Sequence, residues 1–82
     1  MLINPPSLDL KKSLRDAALS LNKTGKGIVI ITKEGGKFLG IVTDGDLRRG
    51  LLNGLSLESR LETVVNTLAL TIVRLLHLAQ IL

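Results

Sequence analysis

Apolar residues first recur at helical spacing. Leu14, Ala17, Ala18 and Leu21 fall on one stripe, as a helix buried along one side requires. Ser13 ahead of the stripe and Asp16 three residues on read as an N-cap and an acidic first turn. Asn22, Lys23, Gly25 and Lys26 supply the stop chemistry. The period then changes. Gly27-Ile28-Val29-Ile30-Ile31-Thr32 is a β-branched run, too short for a helix and too uniformly apolar for a half-exposed strand, so it predicts a strand buried on both faces. Glu34-Gly35-Gly36-Lys37 predicts a hairpin-type turn, and Phe38-Leu39-Gly40-Ile41-Val42-Thr43 the antiparallel return. Leu47, Leu51 and Leu52 mark a second helix closed by Gly54. Ser56 opens a third helical pattern with Leu57, Leu61, Val64 and Val65 on one face. Residues 67–73 read as a strand and 74–82 as a helix apolar around much of its girth, while Asn4-Pro5-Pro6-Ser7 makes an extended lead-in.

The chain has 82 residues, which allows one domain. A chain of this size buries only about 60–65% of its unfolded surface, so the core is thin. There is no cysteine and a single histidine, His77. Zinc fingers, thiol enzymes and disulfide scaffolds are thereby excluded, and the composition suits a reducing cytoplasm. Support must come from strong local structure or from an apolar face shared with a partner. No signal peptide pattern opens the chain. The apolar stretch over 64–82 is broken by Asn66, Arg74, His77 and Gln80, which argues against a membrane span and for an interface. Eleven Lys/Arg against seven Asp/Glu give a net charge of +4 and point to an anionic partner. One aromatic residue, Phe38, is too few for stacking single-stranded nucleic acid, and nucleic acid is not the expected partner.

The most informative stretch is Gly40-Ile41-Val42-Thr43-Asp44-Gly45-Asp46-Leu47-Arg48-Arg49. A strand runs into a tight loop and a helix begins at once. Amides at a helix start favour phosphate. Thr43 offers a hydroxyl, Asp46 can accept from a vicinal diol such as a ribose, and Arg49, one turn on, can reach a phosphate. The same residues have a purely architectural reading, with Asp44 as N-cap, Asp46 as a first-turn acid and the arginines as a solvated face. Thr24-Gly25-Lys26-Gly27 fails the phosphate-loop pattern. Asp44 and Asp46 lack a third ligand for a metal, and no nucleophile–base pair is recognisable, so no catalytic residue is expected.

Ser13-Leu14-Arg15-Asp16-Ala17-Ala18-Leu19, then Gly27-Ile28-Val29-Ile30-Ile31, then Gly35 through Thr43 with Thr-x-x-Asp-h-x-Arg, together resemble a CBS (cystathionine β-synthase) motif over residues 8–54. The string Thr43-Asp44-Gly45-Asp46-Leu47-Arg48-Arg49 is similar to CBS modules attached to arabinose-5-phosphate isomerases and to some sugar-nucleotidyltransferases. The resemblance implies an α/β (α+β) domain, a β-α-β-β-α unit with a small mixed sheet that pairs with a second copy as a Bateman-like module. It implies an adenine nucleotide (AMP, ADP or ATP) in the cleft between copies, with Thr43 and Asp46 on ribose and phosphate, Gly27 and Ile28 framing the base, and residues 10–12 closing the pocket. Asp44 and Arg49 complete the candidate set. The chain carries one complete motif. Residues 62–72 resemble the lead into a second, and after Val73 the match stops. The expectation is a single domain over 1–82 whose 55–82 tail is an interface or a truncated second motif. Either this is a piece of a longer protein with an attached catalytic domain, or two chains pair as a homo-oligomer. The expected function is regulatory and non-catalytic; the alternative is a structural oligomerisation module with no ligand.

Overall fold

A computed structural model of the chain describes residues 5–67 and Leu76. Strand β1 (Ser7–Asp9) leads through a turn into helix α1 (Leu14–Thr24), followed by β2 (Ile28–Lys33), a single 3-10 turn (Glu34–Gly36), β3 (Lys37–Thr43) and helix α2 (Asp44–Leu52). The sheet order is β1-β2-β3. β1 runs parallel to β2 with Ser7 opposite Ile30, and β2 runs antiparallel to β3 with Ile28 opposite Thr43 and Lys33 opposite Lys37. This is the β-α-β-β-α order that the resemblance implies. The hydrophobic pattern alone treats the lead-in only as extended, because the three residues of β1 are too few to show a period.

Both helices pack on one face of the sheet. Leu14, Ala17 and Leu21 of α1, Val29 and Ile31 of β2, Val42 of β3, Leu47 of α2 and Leu61 form the buried core. One expectation changes here, and the inward face of α2 is settled. β2 alternates between buried Val29 and Ile31 and half-buried Ile28 and Ile30, because helices cover one face only. In α2, Leu47 enters the core but Leu51 and Leu52 stay exposed; buried Gly50 takes the inward position one turn after Leu47.

The helix expected from Ser56 does not form. Residues 55–66 instead make a strap whose backbone serves α1 and β3. The amides of Leu14 and Arg15 donate to the carbonyls of Ser59 and Leu57, and those of Leu61 and Glu62 donate to Lys12 and Leu10, at 2.8–3.1 Å. Backbone groups committed in this way are unavailable to an i→i−4 ladder. Only a single 3-10 turn (Leu61–Thr63) remains, with Leu61 fully buried beneath it. The strap then runs alongside β3, where Asn66 forms an antiparallel bridge with Ile41. Two glycines admit it. A Cβ on Gly40 would lie 2.5 Å from the Asn66 carbonyl oxygen, and one on Gly50 2.8 Å from Val64 Cγ1.

The strand expected over 67–73 and the helix over 74–82 fall, apart from Thr67 and Leu76, outside the described residues. Among the described residues no helix is long and apolar enough to cross a membrane.

Candidate functional site

β3 ends where α2 begins, and the junction is closed by a reciprocal cap. Thr43 is the N-cap, and its Oγ1 accepts from the Asp46 amide at 3.3 Å. Asp46 Oδ2 accepts from the Thr43 amide at 2.9 Å and from the Thr43 hydroxyl at 3.0 Å. Thr-x-x-Asp is therefore a capping box. The architectural reading expects the cap on Asp44; the structure places it on Thr43, with Asp46 a first-turn acid as expected. The reason is spacing: the acid that returns to the N-cap must stand three residues beyond it, and Asp46 stands there for Thr43.

Capping does not exhaust the chemistry. Asp46 Oδ1 accepts from Arg49 Nη2 at 2.7 Å, so the carboxylate holds three partners against roughly four lone-pair sites. One acceptor position remains on the oxygen that faces Arg49. The arginine folds back over the first turn, and its Nη1 would lie 3.3 Å from a Cβ on Gly45. Its side chain is 68% exposed against 12% for Asp46, leaving most of its donor fork to solvent. The first-turn amides of Asp44 and Gly45 meet no acceptor among the described residues. Two amides and a guanidinium thus gather at the positive end of a nine-residue helix.

The Ile28–Thr43 register places Gly27 and Ile28 at this same end of the sheet. Gly27 and Ile28 thus share one end of the sheet with Thr43 and the start of α2, but of the six candidate residues only Asp46 and Arg49 line the groove beside the cap. Residues 10–12 lie elsewhere. Leu10 docks through its amide on the Thr32 carbonyl, four residues along β2 from Ile28, or about 13 Å at strand spacing. Within one chain they cannot close a pocket at Thr43.

A groove of about 400 Å³ opens beside the cap between α2 and the strap. Asp46, Arg49, Gly50 and Asn53 of the α2 side line it together with Leu55, Thr63 and Val64 of the strap. Sequence reasoning singled out neither Asn53 nor Thr63. The spacing of Asp46, Arg49 and Asn53 along one helix face was a usable signal for the α2 side. Nothing local announces the strap side, because Leu57, Leu61, Val64 and Val65 satisfy helical spacing.

The family model for the CBS domain matches residues 1–53. The arabinose 5-phosphate isomerase GutQ of Salmonella typhi is 43% identical over 54 residues, covering 66% of this chain and 17% of that protein. The chain spans less than one fifth of the length of the curated relatives it matches. Among solved structures, the CBS domain protein PAE2072 from Pyrobaculum aerophilum, complexed with AMP, is similar with a TM-score of 0.72 at 22% identity over 80% of this chain and 52% of that one. The CBS-domain containing protein ATU1752 from Agrobacterium tumefaciens gives a TM-score of 0.71 at 24% identity, over 78% of this chain and 49% of that one.

Proposed function

The chain belongs to the CBS domain family, and from that membership we propose that it is a regulatory module that binds an adenine nucleotide at the start of α2. The observation that carries this reading is the pair of open amides on Asp44 and Gly45 beside the exposed Arg49 fork, an arrangement suited to phosphate. The remaining acceptor site on Asp46 suits a ribose hydroxyl, and Gly27 and Ile28 offer backbone and an apolar edge to the base. The AMP held by the Pyrobaculum aerophilum protein supports the choice of ligand class.

The nucleotide lies between two copies of the fold, either in a homodimer or against a second motif of a longer protein. Its effect is linkage: a ligand that prefers one arrangement of the paired copies shifts the pair towards it. Any attached or partner enzyme feels that shift, and the likeness to arabinose 5-phosphate isomerases supports a sugar-phosphate enzyme in that place. The module contributes no catalytic step of its own, and its working compartment is the cytoplasm.

Calorimetric titration with AMP, ADP and ATP tests the reading. Saturable heat is expected from at least one of them, lost in Asp46→Ala and weakened in Arg49→Ala. Absence of heat from all three would overturn it. A second reading, a structural oligomerisation piece without ligand, draws on the three internal hydrogen bonds already held by the Asp46 carboxylate. Sedimentation with and without nucleotide separates the two, since a dimer indifferent to nucleotide supports the second.

A further inference from the structure

The opposite end of the sheet carries a different chemistry. Lys33 ends β2 and Lys37 begins β3, and the two are direct cross-strand partners. Like charges in that position destabilise a strand pair. Lys11 joins them from the turn after β1, which is held in place by the Leu10 amide on Thr32 O at 2.9 Å and by the Lys11 amide on Asp9 Oδ1 at 2.8 Å. The three lysines, from three separate segments, line one cleft of about 480 Å³. Two carboxylates, Asp9 and Glu34, also line it and leave the cleft one positive charge in excess; among the described residues no lysine of this cleft has an ion-pair partner within 4.0 Å. One of the two, Asp9, is turned to its own backbone.

We propose that this cleft binds a small phosphate-bearing anion between Lys11, Lys33 and Lys37, at a site separate from the start of α2. A multivalent anion seated there relieves the repulsion between Lys33 and Lys37. Ammonium groups, as mobile point charges, suit a phosphate whose orientation is not fixed by a planar fork. β3 separates this cleft from Thr43 by six residues, about 20 Å at strand spacing, so one small ligand cannot occupy both places. The site is independent of nucleotide binding and stands or falls without it.

The test is a two-dimensional amide NMR titration of the full chain with inorganic pyrophosphate at low salt, because exposed charges are screened at higher ionic strength. Saturable shifts are expected at Lys11 and at residues 33–37, and Lys33→Ala and Lys37→Ala should each weaken binding about tenfold, the scale of one charge-assisted contact. Lys37→Glu should abolish the response while raising the melting temperature without anion, since it converts the repelling pair into an attracting one. Shifts confined to residues 43–49, or shifts that grow linearly without saturating, would overturn the proposal. Binding to phosphatidylserine vesicles with no response to pyrophosphate would assign the cleft to a lipid headgroup and overturn it equally.

Discussion

The two helices begin alike and end up differently equipped. Ser13 and Asp16 form the same reciprocal cap as Thr43 and Asp46, with each hydrogen bond of one box matched in the other to within 0.2 Å. What differs is the neighbourhood. At α1 the strap lays the carbonyls of Ser59 and Leu57 on the amides of Leu14 and Arg15, so the positive end of that helix is plugged by protein. At α2 the equivalent amides, on Asp44 and Gly45, meet no such carbonyl among the described residues, and an arginine stands beside them. A capping box says that a helix starts; it does not say whether the start is available. Availability is decided by a segment more than forty residues away in sequence from the start of α1.

Loosening the strap should make the two starts more alike. Leu61 is its fully buried anchor, and Leu61→Ala should cost about 3 kcal/mol in urea unfolding. Hydrogen exchange at Leu14 and Arg15 should accelerate towards the rates at Asp44 and Gly45; unchanged exchange there would break the comparison. Gly40→Ala drives a Cβ against the Asn66 carbonyl. It should destabilise by about 2 kcal/mol, with exchange loosened first at Ile41 and Asn66.

Acid offers a finer test at α1. The Ser13 amide first, and then the Ser13 hydroxyl, hold the Asp16 carboxyl below the ordinary 3.8. A carboxyl whose pKa is lower in the folded state contributes stability above its unfolded value and loses it as pH falls through the folded one. Stability measured from pH 5 downward should therefore decline more steeply below 3.8 in the native chain than in Asp16→Asn. Equal slopes would remove the box from the acid response. The smallest effect is expected at the outer clasp of the strap, the exposed Arg15–Glu58 pair at 2.6 Å. Glu58→Ala should change unfolding by no more than about 0.5 kcal/mol, and a larger loss would mean that charge, rather than Leu61, holds the strap down.

Much of this was legible from residue order. The stripe through Leu14, Ala17 and Leu21 marks α1, the run at residues 28–32 marks β2, and Gly35-Gly36 marks the turn, because each signal is local. The strap was not legible. Leu57, Leu61, Val64 and Val65 satisfy helical spacing, yet their backbone is claimed by α1 and β3, and periodicity carries no record of such long-range hydrogen bonds. Leu51 and Leu52 mark α2 correctly but not its inward face: that place is filled by Gly50, whose missing side chain leaves room for Val64. At the candidate site the residue types and their clustering could be read directly. The division of labour could not, since the motif itself does not reveal that Asp46 is mostly occupied by Thr43 and Arg49.

The capping role of Thr43 and Asp46 reaches beyond this chain. A pair that a helix needs for its own sake will be kept by selection in copies that have stopped holding any small molecule. Surveys that count Thr-x-x-Asp as a mark of occupancy will then pool empty modules with working ones. Whether the first two amides of the helix are covered by a returning segment is the better criterion for telling them apart.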